Sequence, residues 1–148
     1  MVDFRFRKFD FRIYIYDMNV LMNGHALWSY ADEIADSGLK DEIRALFSFV
    51  RPIHHHEGEI LLTDSCLSIN GDISLNIPLS TINQLYFGFD EVYKPTYVKN
   101  TGMFWQPLGV SYYDNNMLIT VYLTIDYTII GTAMDKQWFD ALSEVLSE

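Results

Sequence analysis

Between Glu59 and Gly131, apolar and polar residues alternate with a period of two, in short runs separated by turn signals. This alternation limits the fold more than any other feature. Successive side chains of a strand point to opposite faces, so a period of two marks strands with one face buried. It predicts strands over Glu59–Thr63, Cys66–Ile69, Leu75–Pro78, Ile82–Phe89, Gly109–Tyr113, Met117–Thr124 and Tyr127–Gly131. Asn70-Gly71, Asp114-Asn115-Asn116 and Asp126 fall between runs and suit the positive φ angles of tight turns. Strands so closely spaced imply an antiparallel meander rather than parallel strands with helical crossovers.

The flanks have other periods. From Ala133 to Leu146, Met134, Trp138, Ala141, Leu142 and Val145 make one helical stripe, with Thr132 as candidate N-cap and Asp135 suited to the positive end of the helix dipole. A helical block is expected from about Ala26 to Val50, with Leu27 or Trp28, Ala31, Ile34 and Ala35 on one stripe. Leu39, Ile43, Leu46, Phe47 and Val50 form a second, Gly38 breaks the two, and Pro52 closes the block. At the start, Phe9, Phe11, Ile13 and Ile15 alternate with polar or tyrosine neighbours, while Phe4 and Phe6 take the other parity. A strand is expected over 4–16, interrupted at Arg7-Lys8. The expected fold is α+β: a bent antiparallel sheet or barrel of about seven strands capped by a C-terminal helix. One domain of 148 residues is expected, with 1–52 as a strand-plus-helix extension and 59–146 as the core.

Charge narrows the function. Ten Lys and Arg stand against twenty Asp and Glu, a formal net charge of −10. Pro52 to Tyr93 holds Glu57, Glu59, Asp64, Asp72, Asp90 and Glu91 without a Lys or Arg. Phosphate-binding surfaces need clustered cations, so nucleic acid and phosphoinositide are not expected as partners. The one basic cluster, Arg5, Arg7, Lys8 and Arg12, alternates with phenylalanines as in a half-buried strand. The lone Cys66 excludes an intrachain disulfide framework and multi-cysteine zinc sites, and it is expected to pack as a small hydrophobe. The N-terminus lacks a secretory apolar core, and no run approaches the ~18–20 apolar residues of a membrane span. A cytoplasmic protein is expected.

Three groups of residues bear on chemistry. His54-His55-His56 with Glu57 and Glu59 offers metal-ligand types, yet neighbouring histidines do not close a site, and an exposed loop joining helix to sheet is expected. Nucleophile-elbow, phosphate-loop, dinucleotide and H-E-x-x-H motifs are absent from the sequence. Residues 90–107 carry Tyr93, Tyr97, Phe104 and Trp105 beside Lys94 and Lys99. Aromatics on a long loop suit binding; the alternative is that they fold back onto the core or form an edge strand.

The segments I-L-L-T-D-S-C-L-S-I-N-G at 60–71 and I-P-L-S-T-I-N-Q-L at 77–85, and a final helix bearing Trp138, resemble the pleckstrin-homology-like fold, particularly its bacterial and GRAM-type members. The resemblance covers 59–146. It implies a helix that caps one end of a bent barrel and buries Trp138 and Leu142. Lipid-binding members carry Lys and Arg around the first hairpin loop; here Thr63, Asp64 and Ser65 stand there, so phosphoinositide binding is not carried over. The expected function is a non-enzymatic module for a protein or peptide partner, without cofactor or metal. An extended segment would add to the sheet edge or lie beside the last helix, with the 90–107 loop as a side wall. The alternatives are a small enzyme or ligand-binding domain using His54–Glu59 and the aromatic loop, and a homo-oligomer formed through the N-terminal strand.

Overall fold

A computed structural model of the chain describes residues 19–36, 51–98 and 103–148. Among the described residues seven strands form one antiparallel sheet: β1 (Val20–Tyr30), β2 (His56–Thr63), β3 (Cys66–Gly71), β4 (Ser74–Pro78), β5 (Ile82–Phe87), β6 (Leu108–Asp114) and β7 (Met117–Ile125). Residues 31–36 are helical (α1), and the chain closes with α2 (Asp135–Leu146). The spatial order is β4-β3-β2-β1-β7-β6-β5. β1 lies at the centre, with Trp28 opposite His56 on β2 and opposite Leu123 on β7.

The sheet curls. Laid flat, seven strands about 4.8 Å apart would hold their outer edges roughly 29 Å from one another. Yet the two outermost strands, β4 and β5, are joined by the three-residue 3-10 turn Leu79–Thr81. Such a link spans at most ~14 Å, so the sheet must roll until its edges approach at that corner.

Two clusters fill the fold. Inside the curl, Ala26, Trp28, Ile60, Leu62, Leu67, Ile69, Val110, Leu123 and Ile125 pack with Trp138 and Leu142 of α2. On the other face of β1 and β7, Ile34 of α1, Ile53, Tyr93, Tyr97, Val98, Trp105 and Tyr122 form a second cluster.

The α+β sheet capped by a helix is as expected, with two corrections in its parts. Leu27 and Trp28 belong to a strand and not to a helical block. Residues 26–29 of β1 are buried on both faces, and a short run covered in that way loses the alternation that would tell it from a helix. Residues 127–131 form a turn and not a strand. Thr128 Oγ1 lies 2.7 Å from Thr132 Oγ1, the Gly131 amide donates to the Thr128 carbonyl (3.0 Å), and Gly131 takes φ +87. Tyr127 packs against the second cluster, while the β-favouring Thr128, Ile129 and Ile130 are displayed to solvent, Ile129 being 92% exposed. The expected strand over 4–16 and helix over 39–50 lie outside the described residues.

The turns vary in agreement. Asn115 and Asn116 take φ +50 and +67 in a two-residue hairpin, and Asp126 takes φ +53, all at expected positions. The β3–β4 turn falls beyond Asn70-Gly71, at Asp72-Ile73. Gly71 stays in the ladder opposite Gly58 because the backbones meet closely: a Cβ on Gly71 would collide with the Glu57 carbonyl oxygen. α2 begins at Asp135, two residues later than expected, with no side-chain cap; Met134 precedes it.

Candidate functional site

The rolled sheet leaves an open groove between β4 and the β6–β7 hairpin. One wall is the outermost strand β4, through Ser74, Leu75, Asn76 and Pro78. Opposite it stands the tip of the β6–β7 hairpin, Tyr112 to Thr120, which runs past the Ile82–Tyr112 pair at the start of β5. The floor is the end of β1 with Asp32 and Glu33 of α1 and with His56. Its volume is about 940 Å³. Small-ligand pockets hold roughly 300–1,000 Å³, so a groove of this size has room for a small molecule or for a short segment of chain.

Its floor is tied together by His56. Nδ1 lies 2.8 Å from Asp72 Oδ2 in the β3–β4 turn, and Nε2 lies 2.9 Å from Glu33 Oε2. Two carboxylates facing both ring nitrogens call for two N–H donors, which is the imidazolium. Burial of the ring opposes the charge, but the hydrogen bonds to Asp72 and Glu33 outweigh it and raise the His56 pKa. Partial burial opposes ionisation of Asp72, yet the His56 hydrogen bond and the Glu57 and Ile73 amides lower its pKa. The ring lies 4.6 Å from that of Trp28, tilted by 36°, so the cation also meets an aromatic face. Glu33 Oε1 accepts the Tyr30 amide at 2.8 Å, as the third residue of a capping box does, and so fixes where α1 begins.

The walls are apolar and acidic. Ile73, Tyr113, Met117 and Leu118 are exposed beside the groove, Met117 by 67%. Asp32, Glu33 and Asp114 supply negative charge, and no Lys or Arg is among the described lining residues. Tyr30 and Tyr112 share a hydrogen bond across the floor, and burial raises the Tyr112 pKa.

The other histidines point elsewhere. His54 Nδ1 meets the Pro52 carbonyl (2.7 Å), His55 Nδ1 meets Ser29 Oγ (2.7 Å), and Glu57 pairs with His25 and Arg51, both at 2.9 Å. Hydrogen bonds from His25 and Arg51 lower the Glu57 pKa. Among the described residues no group of three His, Cys, Asp or Glu is placed to hold a metal. Cys66 is buried, with its sulfur near Thr63 Oγ1 and Ser68 Oγ.

The four loop aromatics do not share one surface. Tyr93, Tyr97 and Trp105 are buried in the second cluster, where Tyr93 lies 5.7 Å from Tyr122 and Trp105 lies 5.9 Å from Tyr127. They fold back onto the sheet. Phe104 alone is exposed, by 58%, and none of the four lines the groove. Tyr30, Glu33, Tyr113, Met117 and Leu118 carry the groove instead. A signal for them exists in the sequence: around Asn115-Asn116, both parities of Tyr112-Tyr113 and Met117-Leu118 are apolar, which a hairpin with one wet face does not need.

Fold and site together define an α+β protein built on an open, curled antiparallel sheet. No family model matches the chain, and no curated protein matches it. Among solved structures it is similar to the C-terminal domain of an unknown protein from Leishmania infantum, at 12% identity and TM-score 0.53, covering 96% of this chain and 99% of that one. At that identity the likeness concerns the fold. No helix among the described residues is long and apolar enough to cross a membrane.

Proposed function

We propose that this chain is a non-enzymatic, pleckstrin-homology-like module that binds an extended polypeptide segment in the groove between β4 and the β6–β7 hairpin. The observation that carries the reading is the pairing of two recognition elements in one groove. Among the described residues β4 has a ladder partner on one side, β3, leaving main-chain groups of its outer edge for an added strand. Met117, Leu118 and Tyr113 stand opposite, ready to bury alternate side chains of that strand. The strand order and the C-terminal helix support the pleckstrin-homology-like assignment, and the absence of Lys and Arg from the described lining residues favours a polypeptide over a phosphate ligand. An enzyme pocket shared by the histidine run and the aromatic loop draws no support from this geometry, because the two do not converge.

Panning the whole protein against a displayed peptide library tests the reading. Selected peptides are expected to bind Met117→Asp/Leu118→Asp at least tenfold more weakly than the wild type. Selection of no peptides, or of peptides indifferent to that change, would refute it.

A further inference from the structure

We propose that the segment bound in the groove is an extended peptide bearing arginine, with guanidinium groups directed to the carboxylates of Asp32, Glu33 and Asp114 and apolar side chains against Ile73, Met117 and Leu118. The inference rests on the reading of the groove as a site for an extended segment and names the chemistry of its partner.

The negative charge of the groove is not balanced from within. Asp32, Glu33 and Asp114 line it, and Asp72 adjoins it through His56. Against these four carboxylates stands one imidazolium, already shared between Asp72 and Glu33. Asp32 and Asp114 are exposed, and neither pairs with a cation among the described residues. Those residues include three Lys and Arg, each engaged elsewhere: Arg51 meets Glu57 at 2.9 Å, Lys136 meets Asp140 at 2.7 Å, and Lys94 lies 6.0 Å from the centre of the Tyr97 ring. A cationic partner displaces none of them, and complementary potentials of this kind steer encounter and fix register.

The carboxylates also converge. Asp114 ends β6, whereas Asp32 and Glu33 belong to α1. Burial raises the Tyr30 pKa, and Glu33, Asp114 and Asp32 raise it further against the hydrogen bond with Tyr112. Carboxylates from two elements therefore act on one hydroxyl at the floor of the groove. Negative charge beside tyrosines suits a guanidinium better than an ammonium. The planar fork of arginine pairs with carboxylates at two points and stacks on aromatic faces, while lysine carries a compact, strongly hydrated charge.

Apolar surface and the strand edge make the partner a chain. Ile73 is 40% exposed beside β4, and Leu118 is 54% exposed on the opposite wall. Side chains flanking an arginine cover both, whereas a free organic cation leaves them wet and leaves the edge of β4 without a ladder.

Binding of synthetic peptides to the full chain tests this. The probes are a peptide of alternating arginine and valine, its counterparts with lysine or glutamate at every arginine, and free arginine amide. The arginine peptide is expected to bind at least tenfold more tightly than the glutamate peptide or arginine amide, and several-fold more tightly than the lysine peptide. Asp32→Asn/Asp114→Asn should weaken it at least tenfold; the first change keeps an oxygen to accept the Glu33 amide, as Asp32 Oδ1 does at 2.9 Å. Should the pair alter the far-UV circular dichroism, Asp114→Asn alone replaces it. Glu91→Gln/Glu144→Gln, which removes two exposed charges outside the groove lining, should leave binding within twofold. Equal weakening by the two pairs would reduce the attraction to net charge and overturn the proposal. So would glutamate or lysine peptides, or arginine amide, that bind as tightly as the arginine peptide. If library peptides bind in a Met117- and Leu118-dependent way yet are indifferent to Asp32→Asn/Asp114→Asn, the partner's charge is wrong and the groove reading stands; if no peptide binds, both fall.

Discussion

At the scale of residues, two titratable side chains hold elements together with opposite pH signatures. His56 is favoured as imidazolium in the folded chain, because its bonds to Asp72 and Glu33 outweigh burial. Its contribution is therefore complete below the ordinary histidine range, near ~6.5, and is lost as pH rises through the raised folded value. Asp72 runs the other way: its contribution is complete above the ordinary carboxylate range and is lost as pH falls through the lowered folded value. Denaturant titrations should show wild-type stability declining as pH rises above the ordinary histidine value of about 6.5, by of order 1–2 kcal/mol given the half-exposed Asp72, and His56→Gln should flatten that decline. An unchanged slope in His56→Gln would remove the histidine from the account. Asp135 is different in kind. Burial pushes its pKa well above the carboxylate range, the Ile125 amide pulls it down, and Asp126 raises it again. Oδ1 accepts that amide at 2.6 Å, whereas Oδ2 is buried without a hydrogen-bond partner among the described residues. Asp135→Ala should cost about 1–3 kcal/mol by orphaning the Ile125 donor, and Asp135→Asn, which keeps an acceptor and drops the charge, should cost much less. Equal losses in the two variants would show that the amide bond is not what the side chain provides.

Elements differed in how much of them the residues disclosed. The β6–β7 hairpin was legible in full, since Asp114-Asn115-Asn116 combines residues that tolerate positive φ with strands of clear period on both sides. That gives a local prediction: Asn115→Val, a β-branched residue forced to φ +50, should cost about 1–2 kcal/mol in chemical denaturation, while Asn116→Gly should be neutral or stabilising. A tolerated valine would mean the turn relaxes to another type. α2 was legible through Trp138 and Leu142, both buried against the sheet. β1 was not, because its residues 26–29, buried on both faces, lose their alternation. The groove escaped for a related reason. Its parts come from β1, α1, β2, β4 and the β6–β7 tip, distant in sequence, and only the curl brings them together. Aromatic content drew attention to 90–107, where bulk serves packing: Tyr93 is 1% exposed.

For the whole molecule, the governing fact is the central place of β1. His25 and Asp126 meet across 101 positions, the His25 amide donating to Asp126 Oδ1 at 2.9 Å. Synthesis proceeds at roughly 5–20 residues per second, so for several seconds β1 and β2 stand on the ribosome with one main-chain edge of β1 unsatisfied. The strand left waiting is the one bearing Leu27 and Trp28, and its final partner is the last strand to be made. This order places the slowest step of sheet folding at the closure of β7 on β1, where the separation along the chain is greatest. A nascent chain halted before β7 would display an apolar strand edge. It is in that interval, more than in the finished protein, that the chain is open to mispairing and to chaperones.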